Sequence, residues 1–425
     1  MMSDAHKPAS RRRLLLGIVA IVVLVGAIII TAVLATGGVP TAAPTTSATP
    51  EPEPEPEPMP TVTPEALVSI CPVAEAPPTP AGIPAERAVN VGVEDLVDPT
   101  AGHLDALATR FDQVGANSVS ISVGRLDWIE FPWVGHEQNL SSDVIETGRD
   151  YVGEAVNAFR CAGDGTQREI VLGIDTLFGR DIQRGVVPAG EALGGWPSDL
   201  FGSLSAWKSD ELKQRLAALV QELAVRYEPD AINITELFFD RYTYGADDLA
   251  DFQRVSGLDD WPRTDDGNVD TANPAVSSWR TDAVTGVLAE LAAVLDPLDI
   301  ALTADVRGPR DALTPTRADI GQDYPAMLEY AAHLNVWDFP GVNQSLSVLD
   351  ANDLAPLLFA DAPDSYSLEI GLWHDDGVIA PDILRRELTV ANTEGIRSVS
   401  VTPTSLMTDE LWAVLAEGWQ APIAP

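Results

Sequence analysis

Eight short runs of branched aliphatic residues, each alternating with small or polar ones, recur between residues 88 and 404 and restrict the fold more than any other feature. They are AVNVGVED (88–95), SVSISVG (118–124), EIVLGID (169–175), AINITE (231–236), IALTADVRG (300–308), HLNVWDF (333–339), SYSLEIGLW (365–373) and SVSVTPT (398–404). A period of two marks β-strands. Between them lie stretches of helical period. SDELKQRLAALVQELAVRY opens at Ser209, an N-cap residue with acids behind it. WRTDAVTGVLAELAAVL is another, and APDILRRELTVANTEG stops at Gly395. Strands alternating with helices give right-handed βαβ units and a parallel sheet. Eight such units over 85–421 fit an α/β fold of the (β/α)8 TIM-barrel type with long loops. A doubly wound open sheet is the alternative, but it usually carries a Gly-rich phosphate loop after its first strand, and VGVEDLVDPTAG has none.

The alternation also separates two faces. One parity is aliphatic, as in Val89, Val91, Ile121, Ile232, Ile234, Leu368 and Ile370. In a barrel this face meets the helices. The other parity carries Asn90, Gly92 and Glu94; Asp175; Asn233 and Thr235; Thr303, Asp305 and Arg307; Asn335 and Trp337; Ser367 and Glu369. A barrel built only for stability fills its interior with branched aliphatics. A polar interior with acids toward the strand ends points to a site at the C-terminal face.

Ahead of the barrel, Arg11, Arg12 and Arg13 precede an apolar run from Leu14 to Leu34. That length spans a bilayer, and the arginines place the N-terminus in the cytoplasm and the barrel outside the cell. A single-pass anchor over 14–35 is therefore expected, with a cleaved signal peptide as the alternative. Residues 36–84 are rich in Pro, Thr and Glu, including EPEPEPEP at 51–58, and read as an extended stalk. In an exported chain Cys71 and Cys161 allow one disulfide; two free thiols are the alternative. The net charge of −38 opposes binding to nucleic acid, which requires Lys and Arg. No Cys/His cluster indicates zinc, no cofactor motif is present, and DDGNVD (265–270) lacks the closing Glu of a calcium loop.

The fourth run ends in Glu236 and the seventh contains Glu369. Two carboxylates across a pocket, one protonated and one ionised, are the machinery of glycoside hydrolysis. By strict alternation Glu236 falls on the helix side and reaches the mouth only if the strand end turns. Glu94, Asp175, Asp305, Arg307 and Asp338 are candidates to bond sugar hydroxyls, with Arg241 and His374 from the loops. Trp337, Trp373 and Tyr242 are candidates to stack on pyranose faces, and Trp128, Trp133, Trp196, Trp207 and Trp261 add further loop aromatics.

The eight-unit pattern with Glu236 after the fourth strand and Glu369 on the seventh resembles the retaining clan A, or "4/7", barrel glycosidases. More narrowly, ITELFFDRYTYGADDLADFQRVSGLDDWPR, DVRG, VWDF, EIGLW and VTPTSLMTDELW are similar to bacterial family-ten-like glycoside-hydrolase-like proteins. The resemblance implies Glu236 as acid/base, Glu369 as nucleophile and a carbohydrate substrate. Clan A enzymes usually carry Asn immediately before the acid; here that residue is Thr235. A non-catalytic glycan-binding barrel and a cell-envelope scaffold are the competing functions.

Overall fold

The computed structural model describes residues 71–72, 79, 82–343 and 348–420, the last in its backbone alone. The chain separates into two units, 1–62 and 63–425. The first unit, with the expected membrane anchor, lies outside the described residues, as does most of the expected stalk. Among the described residues no helix is long and apolar enough to cross a membrane.

The second unit is a closed barrel of eight parallel strands: β1 (Glu86–Val91), β2 (Ser118–Arg125), β3 (Glu169–Asp175), β4 (Ala231–Thr235), β5 (Ala301–Arg307), β6 (His333–Asp338), β7 (Tyr366–Gly371) and β8 (Ser398–Thr402). Each pairs with the next, and β8 pairs with β1 to close the ring. The helices form where the sequence signals them. Ser209 accepts from the Leu212 amide at 3.4 Å and starts the helix Asp210–Tyr227. Asn273 caps the helix Pro274–Leu295, and Gly395 ends Pro381–Glu394 in the left-handed conformation that a helix stop requires.

The aliphatic parity is buried against these helices, with Val119, Ile121, Ile232, Ile234, Leu368 and Ile370 fully enclosed. Burying each such side chain contributes about 1.5–3 kcal/mol. The other parity lines the interior, where polar side chains bond to one another instead of to water. Asn233 and Asn335 donate to Asp305 at 2.8 and 2.9 Å, Thr303 donates to Asn233 at 2.9 Å, and Ser367 donates to Asn335. Buried polar groups are tolerated because they are paired in this way.

The strands end earlier than the sequence suggests at β1 and β7, which moves three expected site residues, and the parity of β6 places a fourth away from the mouth. Glu94 lies on a single helical turn, Val93–Leu96, with an exposed side chain, so inward strand parity does not describe it. Trp373 and His374 follow the end of β7 and form a small hairpin with Gly377–Val378. Asp338 ends β6 on the aliphatic parity. It is fully buried on the helix side, accepts from Asn343 at 2.7 Å and faces Glu387, so it cannot bind substrate in the mouth.

Cys71 and Cys161 form a disulfide across a separation of 90 residues. It fastens the Pro-rich segment to the start of the turn before β3. The loop around Asp265–Asp270 is an exposed turn bonded within itself, with Thr264 and Asn268 donating to Asp266.

Candidate active site

The mouth is organised by what happens after β4. Thr235 is its last residue, and Glu236 takes φ 61°. This left-handed conformation is unfavourable for a residue with a Cβ, by roughly 1–2 kcal/mol. It breaks the strand alternation and brings the side chain from the helix side into the mouth, among Asp175, Asp305 and Arg307. The chain beyond is held by a residue that pattern reading did not single out. Gln322, buried after β5, donates to the carbonyls of Leu237 and Asp305 at 3.2 and 3.1 Å and accepts from the Arg307 amide at 2.9 Å. The Phe239 amide donates to Ile320 O at 2.8 Å.

Glu236 is half-buried, and among the described residues its carboxyl makes no hydrogen bond. Burial raises its pKa from the ordinary 4.5 to about 7; the charge of Asp175 adds to this, Arg307 opposes it and Asp305 adds again. Asp175 stands on β3 level with Thr235. It accepts from Arg125 Nε at 2.9 Å and from the Leu177 amide at 2.8 Å. Burial raises its carboxyl, while Arg125 pulls the other way. Arg307 lies with its guanidinium 4.1 Å from the centre of the Phe238 ring, a cation–π contact.

Arg125 was not foreseen, because β2 changes register between Ser122 and Gly124. The irregularity brings Arg125 level with Asp175. Gly124 has φ 106°, and a Cβ there would stand 2.5 Å from Trp128 O. A glycine inside a strand run is the usual signal for such a bulge.

A cavity of about 50 Å³ adjoins Glu236, lined by Thr176, Phe201, Asp240, Arg241, Tyr242 and Arg307 among others. Arg241 is exposed and Tyr242 half-buried, its ring stacked on Phe201 at 5.8 Å. The structure thus brings together Asp175, Glu236, Asp305, Arg307, Arg241 and Tyr242. Glu94 folds its carboxylate back over Gly92, just beyond the end of β1.

Glu369 sits differently. Two strand residues follow it, so it lies one inward position below the end of β7, at 4% exposure. Burial lifts its carboxyl well above the ordinary range and Asp305 adds to this, while Asn90 and Ser400 oppose it. The largest charge effects on Glu236 come from Asp175, Arg307, Asp305 and Arg125. Beside Glu369 in register is Trp337, half-buried and stacked on Phe339 with ring centres 5.0 Å apart. Phe339 in turn meets Trp373 at 5.2 Å. His374 Nδ1 accepts from the Asp376 amide at 3.2 Å and so helps form the hairpin turn.

Solved structures with the same architecture include the PgaB (BpsB) glycoside hydrolase domain from Bordetella bronchiseptica, with a TM-score of 0.59 and 15% identity over 78% of this chain and 98% of that one. A β-galactosidase from the psychrophilic Marinomonas ef1 aligns with a TM-score of 0.55 and 13% identity over 79% of this chain and 59% of that one. A catalytic mutant of Gan42B, a GH42 β-galactosidase from G. stearothermophilus, aligns with a TM-score of 0.53 and 12% identity, over 80% of this chain and 57% of that one. This chain therefore spans little more than half the length of the two β-galactosidases. At these identities the likeness is one of fold: the protein shares the (β/α)8 barrel architecture of these glycoside hydrolases. No protein-family model matches the sequence, and no curated protein matches it.

Proposed function

We propose that this barrel hydrolyses glycosidic bonds in an oligo- or polysaccharide, with Glu236 as the general acid. The observation that carries the reading is the Glu236 carboxyl, turned into the mouth by a left-handed backbone and raised to about 7. A general acid needs a pKa near the working pH. As the bond from the anomeric carbon to the glycosidic oxygen breaks, its electron pair goes to that oxygen, which takes the Glu236 proton. A second, ionised carboxylate attacks the anomeric carbon or activates water. The 4/7 resemblance gives this role to Glu369 in a retaining reaction, and Asp175, held by Arg125, is the other candidate. The same reading puts the barrel outside the cell, anchored by residues 14–35, and a disulfide fits an oxidising compartment.

Two observations favour a second reading, a glycan-binding barrel without turnover. Glu369 is buried with a raised pKa, whereas a nucleophile must be ionised. The cavity beside Glu236 holds about 50 Å³, against roughly 300–1,000 Å³ for ordinary small-molecule sites. One experiment separates the readings. The soluble domain is assayed against a panel of polysaccharides and aryl glycosides, with Glu236→Gln, Glu369→Gln and Asp175→Asn alongside. An enzyme turns over at least one member and loses about 10²-fold or more in Glu236→Gln while still binding it. Whichever of the other two variants also fails identifies the second carboxylate. Binding without turnover by the wild type sinks the hydrolase reading.

A further inference from the structure

Arg280 lies on the helix Pro274–Leu295 and is buried, at 3% exposure. Its guanidinium donates to neutral oxygens: Asp319 O at 2.6 Å, Asp240 O at 2.7 Å, the Thr243 hydroxyl at 2.6 Å and the Tyr244 hydroxyl at 3.0 Å. Taking a cation out of water is costly, and carbonyls and hydroxyls compensate it less fully than a carboxylate does. The acceptors show what this cation joins.

Asp240, Thr243 and Tyr244 belong to the loop that Glu236 begins, and the first two line the cavity beside it. Asp319 belongs to the turn after β5 that carries Gln322. Arg280 therefore bridges the loop and the turn. The turn also rests on the helix at this point: Gly321 has φ 91°, and a Cβ there would stand 2.9 Å from Arg280 O. From the turn, Ile320 O accepts from the Phe239 amide and Gln322 donates to Leu237 O. Leu237, Phe239, Asp240, Thr243 and Tyr244 are thus tied to Arg280 directly or through the turn it holds. Glu236 precedes them in a left-handed backbone conformation, which persists only where the surrounding structure fixes it.

We infer that Arg280 is a positioning residue for Glu236. It clamps the loop 237–244 to the turn 319–322, and the clamp holds the left-handed conformation and shelters the carboxyl from water. Its meaning for catalysis rests on the hydrolase reading, in which Glu236 is the acid; the clamp itself is read on the carboxyl, without turnover.

The test follows the titration of Glu236 by carbon-13 NMR in the full chain with labelled glutamate, the signal being assigned by its loss in Glu236→Gln. Wild type, Arg280→Met, Arg280→Lys and Thr243→Val are compared, and thermal melts show whether each is folded. Burial is the largest cause of the value near 7. A loosened loop admits water, so Arg280→Met should titrate about one pH unit lower. The sign is diagnostic, because removing a cation acts by charge alone to raise a carboxyl. Arg280→Lys keeps the charge but cannot reach all the acceptors and should fall as well. Thr243→Val removes one acceptor and should fall less. A purely structural Arg280 lowers the melting temperature and leaves Glu236 at about 7; that result, or a rise, in a folded Arg280→Met overturns the inference. Should Arg280→Met not fold, an unchanged titration in Arg280→Lys and Thr243→Val overturns it. The glycan panel decides the hydrolase reading separately: a wild type without turnover sinks that reading, while a titration that falls in the variants still supports the clamp.

Discussion

Asp175→Asn should lower the pH at which activity fails on the alkaline side. Glu236 stands at about 7 against an ordinary 4.5, and after burial the largest cause is the charge of Asp175. The two residues come from adjacent strands, Asp175 being level with the residue before Glu236. Strands about 4.8 Å apart put such carboxylates roughly 6 Å from one another. At an effective dielectric near 20, two unit charges at that distance interact by about 3 kcal/mol. Asp175 and Glu236 are each partly open to water, which screens part of this. A net effect of about 1.4 kcal/mol remains, which corresponds to about one pH unit. A general acid works protonated, so activity falls as pH rises through its pKa. The alkaline limb of kcat/KM therefore lies near 7 in the wild type and about one unit lower in the variant. The unpaired Arg125 pushes the same way. The assay is kcat/KM from pH 4 to 9, together with a carbon-13 titration of labelled Glu236, which reads the pKa even in a variant without turnover. Asp175→Glu keeps the charge and should keep the limb near 7. A limb or titration that does not move in Asp175→Asn, or that moves upward, refutes the electrostatic reasoning.

Three further outcomes follow from the same geometry. Since Glu236 is protonated more readily in the folded state, its stabilising contribution is full below pH 4.5 and is lost as pH rises through about 7; Glu236→Gln should therefore be more stable than wild type at pH 8, by up to about 3 kcal/mol, and equal to it at pH 4, as read by urea denaturation. Gly124→Ala puts a Cβ at φ 106° against the Trp128 carbonyl and should cost more than about 1 kcal/mol in the same measurement, with weakened turnover because Arg125 loses its register. Cys161→Ser opens a loop of 90 residues and should lower stability by as much as about 4–5 kcal/mol; a melting temperature unchanged by the substitution would show that the segment around Cys71 carries no constraint.

The architecture was legible because its signals are local and repeated. A period of two in eight runs, with caps such as Ser209 and stops such as Gly395, fixes strand count, strand order and the two faces. The site was legible where it obeys that period, as at Asp175, Asp305 and Arg307. Where the period breaks it was legible only on the condition of a turn, as at Glu236, or not at all, as at Arg125. Glu236 is inward only because one residue adopts a left-handed backbone, and Arg125 is inward only because β2 slips at Gly124. Gln322 is a loop side chain whose partners are backbone atoms far away in sequence, so no pattern announces it. Asp338 failed for the opposite reason. It was assigned by residue type, whereas the parity of β6 already put it beneath the helix Pro381–Glu394. The depth of Glu369 depends on where β7 ends, and element ends are the least certain part of a sequence reading.

The polar interior has a consequence for how the ring assembles. Asn233, Asp305, Asn335 and Ser367 come from β4, β5, β6 and β7, one from each, and every one of them is bonded to a neighbour on another strand. A fragment ending after β4 lacks the carboxyl to which Asn233 donates, and one ending after β5 lacks the Asn335 amide that donates to both Asn233 and Asp305. An oily interior would reward each added strand in turn. This one ties β4, β5, β6 and β7 to one another through side-chain bonds, so the loss of one strand leaves polar partners on its neighbours unpaired.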